Sequence, residues 1–196
     1  MKTDKLLPYI SSGSLTNKFL VSVPNMNDDC FENSVIYICS NSEKDGSLGL
    51  IINKKAPIQF KEVLSQLGLP CENQGDKCRS VLWGGPVDPV RGFILHSGDF
   101  KGFDTTPLSD DLSLTVSIDV LAKIAAQTGP KDALIFLGYS SWAAGQLEME
   151  IAGNSWLVMN ANMDFLFNCP AENKWKQALV LMGINPTMFS LEQGSV

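Results

Sequence analysis

Histidine is almost absent from this chain: His96 stands alone among 196 residues. Any proton chemistry that needs an imidazole therefore rests on one position, and a zinc site would have to be built almost wholly from cysteine. The five cysteines, Cys30, Cys39, Cys71, Cys78 and Cys169, are odd in number and contain no C-x-x-C pair. They read as reduced cytosolic thiols, with Cys71 and Cys78 sharing one polar loop in which they could approach each other. Basic residues are also scarce, 15 Lys+Arg against 21 Asp+Glu for a net charge of −6. A non-specific nucleic-acid binder carries the opposite surplus, so direct DNA binding is not expected. No apolar run reaches the roughly 18 residues of a membrane helix, and the start, MKTDKLLPYISSGSL, has no long apolar core of a signal peptide. A cytoplasmic protein without a membrane partner is the expectation. The P-loop, dinucleotide-binding and H-E-x-x-H patterns are missing too, which removes motif support for nucleotide hydrolysis, dinucleotide chemistry and zinc proteolysis. No cofactor is implied.

Hydrophobic residues make up 44% and charged residues 18%, ample for a folded core in a single compact domain over residues 1–196, with room for a small subdomain. Phe19 to Val23, Ser34 to Ser40, Leu48 to Asn53, Ser80 to Trp83, Arg91 to His96, Leu112 to Val116, Ala133 to Leu137 and Asn154 to Met159 read as strands. The turn NSEKDGS favours antiparallel pairing of the second and third. Phe60, Val63, Leu64 and Leu67 recur at helical spacing, with Gly68 as the stop. Ser117 caps a second helix with Ile118, Leu121, Ala122 and Ala125 as its buried stripe. A last helix begins at Pro170 and buries Trp175, Ala178, Leu179 and Met182. The sum is an α+β fold: a mixed, mainly antiparallel sheet, curled or barrel-like, with flanking helices. The helix between Val116 and Ala133 permits one parallel crossover.

The segment Trp83 to Ser97, WGGPVDPVRGFILHS, concentrates unusual residues. Gly84-Gly85-Pro86 dictates a sharp turn, because glycine reaches backbone angles that other residues avoid and proline then fixes φ. Arg91 follows, suited to clamp a carboxylate or phosphate, or to pair with Asp88. His96 lies near the strand end, either as a structural hydrogen-bonding residue or as an acid/base group.

GYSSW begins like a G-x-S-x-G nucleophile elbow, but Trp142 occupies the fifth position and Ser140 would need His96 as its base. The plainer reading has Ser140 or Ser141 capping a helix from about Ser141 to Ile151. On that helix Trp142, Gln146 and Glu150 share a face, Ala144, Leu147 and Ile151 form the apolar side, and Gly145 sits inside at a cost of about 1 kcal/mol.

The order FENSVIYIC, GLIIN, WGGPV…RGFILHS, SIDVL and LGYSSWAAGQLEMEI followed by NSW closely resembles the YqgE/AlgH family of small bacterial proteins, from about Gly13 to Ile184. The resemblance implies a compact α+β fold and little about activity; some members carry a label as regulators of alginate synthesis or of transcription. By position it covers Gly84, Gly85, Pro86, Arg91, Gly92, His96, Gly138, Tyr139, Trp142, Gly145, Gln146 and Glu148. There are departures. PNMNDDC has Cys30 where the family has proline, GYSSW replaces GYAGW, and the family's C-terminal histidine is absent, so no role for it carries over.

A non-enzymatic binding or regulatory protein is the leading expectation, with an unidentified protein or a small anionic ligand as partner. The candidate surface is Gly84, Gly85, Pro86, Arg91, His96, Tyr139, Trp142, Gln146 and Glu148, expected to lie close together with Arg91 as anchor. The alternative is a small-molecule enzyme using His96 as acid/base. The third reading is a direct transcription regulator.

Overall fold

The run SVIYICS is covered on both faces: Val35, Ile36, Tyr37, Ile38 and Cys39 expose no surface. The structure, a computed structural model, describes residues 15–70 and 80–185. In chain order the first elements are β1 (Lys18–Ser22), β2 (Val35–Ser42), β3 (Gly46–Ile51), β4 (Lys55–Gln59), α1 (Phe60–Gln66) and β5 (Ser80–Trp83). Then come β6 (Val87–Ser97), β7 (Thr105–Pro107), β8 (Leu112–Thr115), α2 (Ile118–Ala125) and β9 (Ala133–Trp142). α3 (Gln146–Ala152), β10 (Trp156–Asn160), α4 (Met163–Asn168) and α5 (Ala171–Leu181) complete the order. The fold is α+β and mainly antiparallel. The loop holding Cys71 and Cys78 lies outside the described residues. No helix among the described residues is long and apolar enough to cross a membrane.

The chain divides into two compact units, one built from residues up to Lys54 and from Ser140 onward, the other from Lys55 to Tyr139. In the first, the ladder β10-β1-β2-β3 is antiparallel throughout and ends on the last residues of β9, with Gly49 opposite Ser140 and Ser47 opposite Trp142. The β2–β3 pairing expected from NSEKDGS is present, with a bulge between Ile38 and Ser40. Phe19 anchors this core, its ring edge-on to Tyr37 at 5.8 Å and to Phe165 at 5.3 Å. Behind them Leu166, Ala178 and Leu179 of α4 and α5 are fully buried. Lys174 is buried as well: its ammonium lies over the Phe165 ring and donates to the Cys169 carbonyl, capping the end of α4. Burial lowers its pKa. The stripe expected on the last helix therefore holds at Ala178 and Leu179, while Trp175 turns its indole N–H to the Ser22 carbonyl at 2.9 Å.

In the second unit the order is β4-β5-β9-β6-β8-β7, antiparallel except for β5 beside β9. The crossover through α2 does occur, but β6 separates β8 from β9, so the neighbouring parallel pair is β5–β9. Phe60, Leu64, Val81, Ile94, Val120, Leu121, Ile124 and Ile135 form the core. On α2 the buried face is Val120, Leu121 and Ile124; of the expected Ile118–Leu121–Ala122–Ala125 stripe Leu121 is buried and Ala125 packs against the core, while Ile118 is 51% exposed. Ile118 opens the helix, where its Cβ points back beyond the first turn, and Val120 and Ile124 bury more apolar area than two alanines. Ser117 caps the helix as expected, its hydroxyl accepting from Asp119 N–H at 3.3 Å.

Two boundaries differ from those the sequence suggests. β9 continues through GYSSW to Trp142, and α3 starts only at Gln146. Ser140 is fully buried in the strand opposite Gly49, so neither a nucleophile elbow nor a helix cap exists there. Gly145 is the cap, at φ +76°, which explains it without a helix-interior cost. β9 survives because Gly138 takes φ +71°, and a Cβ there would lie 2.5 Å from the Gly85 carbonyl oxygen and 3.2 Å from that of Val87. A Cβ at Gly145 would meet nothing within 4 Å. Gly138→Ala is thus expected to cost at least about 2 kcal/mol, combining left-handed strain with overpacking. Gly145→Ala should cost roughly 1 kcal/mol, from strain alone. Urea denaturation of the two variants checks the order.

Candidate functional site

The glycine turn leaves β5 with Gly84 N–H donating to the Leu137 carbonyl at 2.8 Å. Gly84 and Gly85 are buried and Pro86 is exposed. β6 then starts earlier than Arg91, yet its pairing with β9 jumps from Val87–Tyr139 to Gly92–Leu137. Asp88 to Arg91 consequently bulge out opposite Gly138, with Asp88 at φ +47°. Val90 at the tip is 85% exposed, flanked by exposed Asp88 and Pro89. The Arg91 guanidinium lies 5.7 Å from the centre of the Phe93 ring, and that ring meets Tyr139 edge-on at 5.6 Å. Arg91, Phe93 and Tyr139 form a row that holds a cation at the foot of the bulge.

His96 belongs to the same unit and strand but is fully buried. Its Nδ1 is 2.9 Å from the Ser97 carbonyl oxygen and its Nε2 is 2.9 Å from Thr115 Oγ1. A carbonyl only accepts, so Nδ1 carries the proton and Nε2 accepts from the Thr115 hydroxyl. Burial pushes the imidazole pKa below its ordinary value, with the Ser97 carbonyl and the Asp99 carboxylate pulling the other way. An acid/base residue needs a ring nitrogen within reach of a substrate. His96 has both engaged internally, so the enzyme alternative loses its central residue. Asp99 sits below its usual range because the Ser97 hydroxyl donates to it.

Trp142, Gln146 and Glu148 fall in the other unit, and each is engaged within it. The indole N–H groups of Trp142 and Trp156 both donate to Glu150 Oε2, at 2.9 and 2.8 Å. Gln146 Nε2 donates to Glu150 Oε1 at 2.9 Å, while Gln146 Oε1 accepts from Ala143 N–H. Glu148 accepts from Asn41 Nδ2, which also donates to Ser47 Oγ. Phe31 closes the cluster, stacked on Trp142 at 6.1 Å and edge-on to Trp156 at 5.6 Å. The expected face of Trp142, Gln146 and Glu150 does converge, but Trp142 reaches it from the end of β9 and only Gln146 and Glu150 lie on the helix. Glu150 was legible four residues after Gln146, and Trp156 in NSW; Phe31 gives no periodic signal. Among the described residues no group of three His, Cys, Asp or Glu is arranged to hold a metal. The buried Cys39 thiol has its pKa pushed up by desolvation.

A family model described as AlgH-like matches residues 19–187. The chain belongs to the AlgH-like family. A UPF0301 protein of Brucella abortus (strain 2308) is 42% identical over 193 residues, covering 95% of this chain and 96% of that one. A UPF0301 protein of Mesorhizobium japonicum is 43% identical over 188 residues, covering 93% of each. The solution structure of the AlgH protein from Pseudomonas aeruginosa aligns with a TM-score of 0.74 at 38% identity, over 95% of this chain and 97% of that one. A Corynebacterium diphtheriae protein aligns at 0.72 with 20% identity, over 97% and 99% respectively, a likeness of fold.

For this AlgH-like chain two outcomes follow. Glu150→Ala strands two indole N–H groups and should cost about 2 kcal/mol or more in urea denaturation; Glu150→Gln should cost under half of that, since one oxygen serves both indoles. His96, as the sole histidine, gives an unambiguous nitrogen NMR signal. The unfolded chain takes up its proton near pH 6.5, the folded chain at lower pH, so the unfolded state binds more protons in between. The stability contributed by neutral His96 is full above that window, falls as pH drops through it and levels off below the folded pKa. The NMR signal should stay in the neutral Nδ1–H form at pH values where an exposed histidine is already charged.

Proposed function

We propose that the protein is a non-catalytic binding module whose contact surface is the β6 bulge. The observation that carries this reading is Val90, 85% exposed at the tip of a segment whose backbone packs directly on Gly138. A large apolar side chain on an immobilised bulge, between Asp88 and Arg91, suits the surface of a protein partner: apolar contact at the centre and charge at the rim. Gly84, Gly85 and Pro86 act as the mount, and Tyr139 supports Arg91 through Phe93. A small anionic ligand is the second reading, favoured by the guanidinium held over Phe93. Catalysis draws no support from His96 or Ser140, both fully buried. The cytoplasmic setting and any regulatory role belong to this proposal as well.

The test is an affinity pull-down from native lysate with three baits: wild type, Val90→Asp/Arg91→Ala, and Met149→Asp as a control at a 69% exposed residue of α3. A partner kept by wild type and Met149→Asp but lost by the double variant, with an unchanged melting temperature, is the expected result. Identical partner sets for all three baits overturn the bulge as the docking surface. Thermal shifts induced by small carboxylates or phosphates in wild type and lost in Arg91→Ala would instead establish the second reading.

A further inference from the structure

Gly102, Thr105, Thr115 and His96 form one hydrogen-bonded chain leading from a surface turn into the interior of the 55–139 unit. Gly102 N–H reaches Thr105 Oγ1 at 3.2 Å, Thr105 Oγ1 lies 2.8 Å from Thr115 Oγ1, and Thr115 Oγ1 lies 2.9 Å from His96 Nε2. Its direction follows from its ends. With the Nδ1 proton committed to the Ser97 carbonyl, Thr115 donates to Nε2, Thr105 donates to Thr115, and Thr105 accepts from Gly102. A second link runs beside it. The Phe100 ring is edge-on to His96 at 5.9 Å, and a Cβ at Gly102 would lie 2.8 Å from Phe100 Cε1. The turn itself holds Asp104 at φ +55° and carries Phe103, 79% exposed.

We propose that this chain is a proton-operated latch on the Gly102–Thr105 turn, in which a proton taken up by His96 reverses the hydroxyls and releases the turn that bears Phe103. A proton from solvent bonds to Nε2, which then donates to Thr115 Oγ1. The Thr115 hydroxyl rotates toward Thr105. Thr105 must now accept from Thr115 while its own proton, with no acceptor left in the chain, turns toward solvent. The Thr105 oxygen now accepts from both Thr115 and Gly102 N–H and no longer donates along the chain, which makes it a poorer acceptor. The 3.2 Å bond from Gly102 therefore weakens, and the strained Asp104 conformation is held less firmly. The charged group acting on the imidazole is Asp99, whose carboxylate accepts from the Ser97 hydroxyl at 2.5 Å and from Lys131 N–H at 3.2 Å. Asp132 and Asp111 meet this corner through their carbonyls, bonded to Ser97 N–H and Gly98 N–H. β8 brings Thr115 and β9 pairs Ala133 with His96, both uncharged. Burial sets the latch at neutral pH and makes it answer to acid, with Asp99 as the group that brings the transition toward milder pH. This device is separate from the bulge and stands whatever binds there.

The experiment is a proton–nitrogen NMR titration of the full chain from about pH 8 to about pH 4.5, following the His96 ring and the Gly102 amide together. In wild type the Gly102 signal should move with the His96 midpoint, and its exchange protection, corrected for intrinsic pH dependence, should fall about tenfold across it. In Thr105→Val the ring should still titrate while Gly102 no longer follows; Thr105→Ser should restore the coupling. His96→Gln should abolish the Gly102 transition. A Gly102 amide that stays still while His96 protonates overturns the latch. So does a Gly102 transition that persists in His96→Gln, which assigns it to carboxylates such as Asp99. Loss of the β1 and β2 amides at the same pH also overturns it, as general acid unfolding. The wild-type titration decides the matter even if a variant fails to fold.

Discussion

At Gly138 two stretches of backbone meet with no space for a carbon atom between them. A Cβ there would lie 2.5 Å from the Gly85 carbonyl oxygen, 3.2 Å from that of Val87 and in van der Waals contact with the Cα of Pro89. Much of the 55–139 unit follows from this contact. Because residue 138 can take φ +71°, β9 continues past it without ending. Its earlier residues complete the ladder with β5 and β6, and its last three pair with β3 in the other unit. Because the glycine turn packs against this point, the extra residues of β6 have one way to go, outward. Gly84 and Gly85 thus read as candidate contact residues in sequence, whereas in the fold they are buried where the chain packs against Gly138 beneath the β6 bulge.

His96, the one candidate acid/base group, and Glu150, the carboxylate beside two tryptophans, have their hydrogen-bonding capacity taken up inside the fold. A buried donor or acceptor left unpaired costs about 1–3 kcal/mol, so such groups persist where partners are supplied. Glu150 receives two indoles and an amide. His96 is fixed in one tautomer by a carbonyl and a hydroxyl. Each ties together elements distant in sequence: β9, α3 and β10 around Glu150, β6 and β8 around His96. Each tie carries a sharp chemical requirement, because a carboxylate and an imidazole are not replaceable by apolar residues while their partners remain.

Strands with strong burial signals were legible in advance. Ser34 to Ser40 is nearly continuous apolar and β-branched because both faces are covered, Ala133 to Leu137 is apolar around the buried Ile135 and Phe136, and no turn residue interrupts either. The ends of β6 and β9 were hidden for an opposite reason. Pro89 and Gly138 are breakers by local propensity, and only cross-strand pairing shows that Pro89 sits in a bulge and that β9 continues through Gly138. β4 contains Pro57 and lies at an edge, β7 has three residues and α4 six, too short for a periodic signal. The α3 region misleads by coincidence of spacing: Trp142 stands four residues before Gln146, as on a helix, but reaches Glu150 from a strand. At the candidate surface, Arg91 and the glycine turn were visible as residue types. Val90 was not, because its distinction is exposure, which a tertiary contact at Gly138 creates.

Rigidity at the bulge bears on what kind of recognition it would support. Ordering a flexible loop and a long cationic side chain on binding subtracts from affinity, by about 0.5–1.5 kcal/mol for each immobilised side chain. Here the loop is already packed against β9, and the Arg91 guanidinium already rests on Phe93, itself braced by Tyr139. In the proposed binding role most of that ordering is complete before a partner arrives. The Trp142–Trp156–Glu150 cluster is the converse case, since its rings and carboxylate are arranged to satisfy one another. Aromatic and charged residues stand side by side in both places. What separates a candidate surface from a structural core is whether their polar and apolar ends face inward, as at Glu150, or are held still while facing out, as at Val90.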